Sequence, residues 1–266
     1  MSILSKLFSR EPKNIDLTKA ADKLSFLEID MHNHLLPGID DGSGSVEQSL
    51  ELIQGLQYLG INRFICTPHI LQGMYENTKT TIKSAEDSLN NYLKATNNNA
   101  KIYSAAEHMI DDGLTSLIKE NNLSIMPGGY VLIEMSYLSE SKALFQIIAE
   151  IRNLGYKPIL AHPERYNYYH YNFAIYKQIK NAGCDLQLNL LSISRYYGVQ
   201  VKSTALTLLK SGMYDFVGTD LHHEKHLKAL QEIAIKYPIS DLLKYCNIKN
   251  AELAEHFDMQ NKSITI

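Results

Sequence analysis

Ile29-Asp30-Met31-His32-Asn33-His34-Leu35-Leu36-Pro37-Gly38-Ile39-Asp40-Asp41-Gly42 is the stretch around which this chain of 266 residues is organised. The apolar run 26–31 reads as a strand ending in His32 and His34. Residues i and i+2 of a strand share a face, so both imidazoles can meet one metal ion. Pro37 and Gly38 then turn the chain, and Asp40 and Asp41 bring hard oxygen donors close. By itself the pair fits surface or core histidines equally well, so the remaining residues must decide.

Composition narrows the field. Hydrophobic residues make up 45% and charged residues 21%, which is ordinary for a globular chain with a full core. A net charge of -3 gives no reason to expect nucleic acid as a partner. Cys66, Cys184 and Cys246 are odd in number and widely spaced, which points to free thiols in a reducing compartment. A cysteine-dependent phosphatase would need arginine six residues after its nucleophile; those positions hold Gln72, Leu190 and Glu252. No run is long enough to span a membrane. Ile3, Leu4, Leu7 and Phe8 fit one face of a short surface-seeking helix, although a frayed tail over 1–25 is the simpler reading.

Beyond the tail, strand-like runs at 26–31, 63–67, 101–106, 130–136, 157–161, 185–190 and 214–218 alternate with helical patterns. Those patterns cover 46–59, 78–96, 111–121, 140–154, 173–182, 201–211 and 224–237. Gly60, Gly155, Gly183 and Gly212 stand where helices should end. Seven alternating pairs predict an α/β fold with a parallel sheet, either open or closed into a barrel. No GxGxxG or GxxxxGK[ST] follows the first strand, which removes support for the nucleotide-binding open sheets. A single domain over 26–245 is expected, with 246–266 a helical extension and tail.

In a parallel barrel the active site lies at the carboxyl ends of the strands. Here those ends carry His32 and His34, His69, Glu107 and His108, Glu134, His162 with Glu164 and Arg165, and Asp220 with His222. Only the sixth strand, with Gln187 and Asn189, lacks a strong ligand. Singly each has a structural alternative: His69 as a turn residue, Glu134 in an ion pair, Asp220 as a helix cap. A shared rim is not explained that way, and a carboxylate in an apolar strand such as Glu134 needs a cation. Histidines and carboxylates without thiolates suit Mn²⁺, Zn²⁺ or Fe²⁺, and their number calls for two or three ions.

The set Asp30-x-His32-x-His34, Thr67-Pro68-His69, Glu107, His162-Pro163-Glu164-Arg165 and Asp220-x-His222 resembles the polymerase and histidinol phosphatase (PHP) superfamily. The strings His34-Leu-Leu-Pro-Gly-Ile-Asp-Asp-Gly42 and His162-Pro-Glu-Arg165 are similar to its capsule-associated protein-tyrosine phosphatase branch in bacteria. The likeness runs from about residue 26 to about residue 236. It implies a distorted seven-stranded (β/α)7 barrel holding three metal ions, Mn²⁺ first among the candidates. It also implies three subsites: His32, His34, Glu107 and Asp220; Glu107 bridging to Glu134 and His162; and Asp41, His69 and His222. Arg165 matches the phosphate-binding arginine, and Arg165, Asp41 and His222 are the catalytic candidates. The resemblance further implies a phosphotyrosine-containing protein as substrate, a bacterial tyrosine kinase of capsule or exopolysaccharide export as partner, and a cytoplasmic location at or near the inner membrane face.

One departure bears on substrate choice: His223-Glu224-Lys225-His226 stands where such enzymes often carry a further arginine. A metal cluster beside one arginine suits phosphoester hydrolysis, with hydroxide supplied near neutral pH. Tyrosinate, with a pKa of about 10, leaves more readily than an alkoxide. Asp40, His108 and His223 are the spare acids in view. Tyr166-Asn-Tyr-Tyr-His-Tyr171 and Arg195-Tyr-Tyr-Gly198 either wall a substrate ring or simply pack. The alternatives are a PHP-type phosphatase for a small phosphomonoester such as histidinol phosphate, and a non-catalytic metal-binding scaffold that would have lost ligands.

Overall fold

The computed structural model describes residues 16–264. The amphipathic segment containing Ile3, Leu4, Leu7 and Phe8 lies outside them. Residues 16–25, read above with the tail, instead pack on the body. A 3-10 turn over Leu17–Ala20 leads to Ala20 and Leu24, both fully buried, and the Leu24 N–H donates to Leu59 O at 2.8 Å.

The helices follow the expected order: α1 Val46–Tyr58, α2 Lys79–Ala95, α3 Asp112–Lys119, α4 Leu144–Asn153, α5 Phe173–Asn181, α6 Val199–Lys210 and α7 Glu224–Lys236. Ser45, Thr78 and Asp111 cap the first three through side-chain oxygens, satisfying N–H groups a helix start leaves free. Two further helices, α8 Ile239–Leu243 and α9 Asn250–Ile264, complete the described chain.

The strands are β1 Arg63–Cys66, β2 His69–Ile70, β3 Lys101–Ser104, β4 Glu107–Met109, β5 Tyr130–Glu134, β6 Lys157–Ala161, β7 Asp185–Asn189 and β8 Phe216–Gly218. All their pairings are parallel, in two sheets ordered β1-β3 and β2-β4-β5-β6-β7-β8. The fold is thus α/β as expected, but a barrel closed by a continuous ladder of seven strands is not found among the described residues. Two short strands, β2 and β4, lie just beyond the expected runs 63–67 and 101–106. Pro68, which has no N–H to pair, separates β1 from β2, and Ala105-Ala106 separates β3 from β4.

The expected first strand is also not a strand. Ser25–Leu27 is a 3-10 turn, Glu28 has φ 62°, and only single bridges join Asp30 to Phe64 and Asn33 to Leu221. Side chains replace the missing rungs. Asp30 accepts from Thr219 N–H at 2.9 Å and from the Thr219 hydroxyl at 2.6 Å, while Asn33 Nδ2 donates to Ile65 O at 3.2 Å. Burial pushes the Asp30 carboxyl up to about 6, against the pull of Thr219. Asp30 therefore braces the site instead of joining the ligands.

The larger core fills the layer between helices and sheets. A second cluster, with Ile29, Met31, Ile65, Leu132, Ile159 and Phe216, lies on the other side of the strands, and Leu253, Ala254 and Phe257 of α9 belong to it. The C-terminal extension is therefore a plug. Its first residue, Asn250, receives the Val217 N–H at 2.9 Å and donates to Val217 O at 2.8 Å and Ile29 O at 3.1 Å. It ties the irregular first segment to β8. Asn250→Ala should lower unfolding free energy by about 3 kcal/mol, read as a lower urea midpoint, because three buried groups lose their partners.

Candidate metal centre

The candidate ligands sit where strands end and the backbone turns inward. His162 follows β6 with φ 33° and Asp220 follows β8 with φ 51°, left-handed values that non-glycine residues seldom adopt. Such strain, on the order of 1–3 kcal/mol per residue, is typical of positions where side-chain direction matters more than backbone ease. Two glycines let the histidine segment sit close: a Cβ on Gly42 would lie 2.2 Å from His34 O, and one on Gly218 2.6 Å from His32 Cβ.

Three sets of donor atoms converge: His32, His34, Glu107 and Asp220; His34, Asp41, His69 and His222; and His69, Glu107 and Glu134. Glu107 is the hub. Its Oε2 lies 3.1, 3.4 and 3.3 Å from ring nitrogens of His32, His34 and His69, and its Oε1 lies 3.0 Å from His162 Nε2. Two proximities go beyond the expected grouping. His34 reaches the set containing Asp41 as well as its own. His69 Nδ1 lies 2.9 Å from Glu134 Oε1 and so joins Glu107 and Glu134, to which His162 Nε2 lies at 3.0 and 4.0 Å. Asp41, half exposed, approaches His69 at 3.4 Å and His222 at 3.6 Å.

The chemistry of these donors fits divalent ions. Both oxygens of Glu107 and Nδ1 of His69 are buried and make no hydrogen bond, although imidazoles and carboxylates crowd them. Lone pairs that converge on shared points instead of on each other's protons are what bound cations require. Burial would raise the Glu107 and Asp220 carboxyls, yet the surrounding imidazoles hold both well below the usual range. For His222, burial and the neighbouring His34 push the ring down to about 3, the neutral form that can ligate.

A further layer aims these rings, and sequence reasoning recognised it only in part. His32 Nδ1 meets Gln187 Oε1 at 3.0 Å, His34 Nδ1 meets Asp40 Oδ2 at 2.7 Å, and His222 Nδ1 meets Asp220 O at 2.9 Å. Each bond leaves Nε2 facing inward. Asp40 also accepts the His69 and Gly42 N–H groups, and Asn189 Nδ2 donates to Asp220 Oδ2 at 2.8 Å. Gln187 and Asn189, the sixth strand's non-ligands, are thus orienting groups. His108 is spent elsewhere, with Nδ1 3.0 Å from Leu132 O and Nε2 accepting the Ser124 N–H.

Above the cluster opens a cavity of about 230 Å³ whose wall includes Arg165, Tyr137, Tyr197, His223 and His226. Arg165 Nη1 donates to Asp220 Oδ2 at 2.7 Å, and its guanidinium carbon lies 4.6 Å from the Tyr137 ring centre and 4.2 Å from that of Tyr197. Of the two aromatic segments singled out in the sequence, the second supplies Tyr197. The first packs instead: Tyr166 is fully buried, holding Met135 N–H and Ala161 O, and Tyr171 is exposed. Tyr137 had no signal in the sequence beyond following Glu134. Cys66 and Cys184 are buried and Cys246 partly so, with burial raising each thiol, which removes thiolate chemistry.

Metal uptake should be linked to protons at His69. Burial and His34 oppose its protonation, but the Glu134 and Glu107 carboxylates outweigh them and raise it to about 9. In chelator-stripped protein this contribution to stability is complete below the unfolded value near 6.5 and is lost as pH climbs through 9. The urea midpoint of stripped protein should therefore fall across that window. Mn²⁺ needs the unprotonated ring, so adding it at neutral pH should release protons in weak buffer and flatten the profile.

The family described as "Capsular polysaccharide synthesis, CpsB/CapC" matches residues 28–238. The tyrosine-protein phosphatase YwqE of Bacillus subtilis is 29% identical over 229 residues, covering 85% of this chain and 90% of its own. The tyrosine-protein phosphatase CpsB of Streptococcus pneumoniae is 26% identical over 201 residues, covering 73% and 83%. A solved structure from the work on YwqE and CpsB, described as metal-dependent tyrosine phosphatases, aligns with a TM-score of 0.70 at 26% identity, covering 83% of this chain and 96% of that one. With strand ends, donors and arginine arranged on the fold these relatives share, the chain belongs to the CpsB/CapC family of capsular polysaccharide synthesis.

Proposed function

We propose that the chain is a metal-dependent phosphatase that removes phosphate from tyrosine residues of proteins. The observation that carries this is the joining, in one cavity, of three convergent His/Asp/Glu sets with the aromatic-clamped Arg165. The named activity of YwqE and CpsB supports it. We read residues 26–245 as the catalytic domain, an opened form of a seven-stranded β/α barrel whose first strand is held by bridges. We assign His32, His34, Asp41, His69, Glu107, Glu134, His162, Asp220 and His222 as ligands of up to three ions. Mn²⁺ is our first choice, with Fe²⁺ or Zn²⁺ meeting the same donor chemistry.

When bound, such ions supply hydroxide near neutral pH and offset charge on the phosphoryl group. The chain's own residues do the rest. Arg165 presents N–H donors to a nonbridging oxygen, its plane fixed by Tyr137, Tyr197 and Asp220. His222, with its Nδ1 proton given to Asp220 O, turns the Nε2 lone pair to the cavity. Asp41, the most exposed carboxylate of the set, would hold an ion through Oδ1, which faces His69 and His222, and its other oxygen would take the proton of the attacking water and return it to solvent. We place the protein in the cytoplasm near the membrane, opposite a tyrosine kinase of polysaccharide export. The free cysteines support that, and no helix among the described residues is long and apolar enough to cross a membrane.

Steady-state kinetics with Mn²⁺ test the reading. A phosphotyrosine peptide should exceed a phosphoserine peptide and histidinol phosphate in kcat/KM by at least about tenfold, since phenolate is the better leaving group. Preference for histidinol phosphate would replace it with the small-ester alternative. No turnover by a fully loaded protein would leave the scaffold.

A further inference from the structure

His223 and His226 stand at the start of α7, three residues apart and so on one helical face, while Glu224 and Lys225 between them are exposed. Their ring centres are 4.1 Å apart, and both rings line the same cavity as Arg165. Each has one nitrogen committed. The His226 N–H donates to His223 Nδ1 at 3.3 Å, and the His222 N–H donates to His226 Nδ1 at 3.3 Å. A ring nitrogen that accepts a backbone N–H holds its lone pair there, so the neutral ring carries its proton on Nε2. His223 then offers an Nε2–H with no hydrogen-bond partner among the described residues, and His226 offers a second Nε2–H from a ring that also lies against the Asp220 carbonyl.

We propose that His223 and His226 form a second anion-binding element, donating from Nε2 to the nonbridging oxygens of the substrate phosphoryl group and of product phosphate. This rests on the reading that the cavity hydrolyses phosphoesters. A phosphoryl dianion has more acceptor sites than one guanidinium satisfies. The Arg165 guanidinium carbon lies 4.6 Å from the Tyr137 ring centre and 4.2 Å from that of Tyr197, and its Nη1 already donates to Asp220 Oδ2, so part of its N–H edge is spent. The wall continues from Tyr197 to His226, with ring centres 6.4 Å apart, and then to His223. The next donors around the cavity are these imidazoles.

The test separates this role from helix capping. An asparagine amide can place its oxygen near the position of Nδ1 but does not reach Nε2, and it is itself a good N-cap. The double variant His223→Asn with His226→Asn should therefore keep α7 and the metal ions while losing both donors. With Mn²⁺-loaded full-length protein, calorimetric titration of inorganic phosphate should show Kd rising by at least about tenfold, and KM for an aryl phosphate should rise in step with little change in kcat. His223→Asn with His226→Gln, which returns one amide near Nε2, should recover part of that loss. Phosphate affinity within about twofold of wild type at full metal content would overturn the proposal. So would loss of metal in the double variant, which would show the rings acting through His222. Failure of the phosphatase reading is seen separately, as wild-type protein that binds phosphate but turns over no phosphoester.

Discussion

Glu107→Gln should leave a folded protein with a reduced metal content and at least about a thousandfold lower kcat/KM on a phosphotyrosine peptide. The substitution changes almost no volume, so packing around a side chain that is wholly buried should survive. What changes is charge and lone pairs. Glu107 is shared by two of the convergent donor sets, and ring nitrogens of His32, His34, His69 and His162 all lie within 3.4 Å of it. An amide has one acceptor oxygen and an N–H₂ that would turn toward an imidazole, so it cannot bridge two cations. It also removes the negative charge that keeps these buried imidazoles in company. Metal analysis alongside circular dichroism distinguishes a lost ion from a lost fold. A variant with its full complement of metal and wild-type turnover would mean that Glu107 is only a buried ion-pair partner and that the centre lies elsewhere.

Much of this centre was readable from the sequence because its chemistry conflicts with its surroundings. Glu134 closes a run of fully buried residues, and Asp220 follows three more, so each needed a reason to be there. Helices α1 to α7 were readable for the opposite reason, since apolar period and cap residues agreed. The misreadings share one cause: contacts that side chains make across long sequence separations. Asp30 with Thr219, and Asn250 with Ile29 and Val217, replace ladder bonds at the first segment, and no local pattern announces that. The α9 plug has only Leu253, Ala254 and Phe257 as its fully packed apolar set among the residues whose burial is described, a signal as weak as that of many surface helices. His69 was expected in one subsite, beside Asp41 and His222, and it lies there; that its second nitrogen also faces Glu134 is another long-range contact the sequence does not announce.

Arg165 offers the second large effect, and here the comparison of two replacements carries the argument. Arg165→Ala should lower kcat/KM by about a hundredfold or more while metal content holds, because Asn189 Nδ2 still fixes Asp220 at 2.8 Å. Arg165→Lys keeps a positive charge and should recover less than about tenfold of that loss. A lysine ammonium has neither the planar fork that meets two phosphate oxygens nor the flat faces that Tyr137 and Tyr197 grip at 4.6 and 4.2 Å. If charge alone were the contribution, lysine would restore activity nearly in full. Loss of metal in Arg165→Ala would instead show that the guanidinium serves chiefly to hold Asp220, to which it donates at 2.7 Å. The packing makes the first outcome the expected one: with Nη1 donating to Asp220 and two aromatic rings against the guanidinium, its remaining N–H groups are the part left to do binding, and the residue lies on the cavity wall.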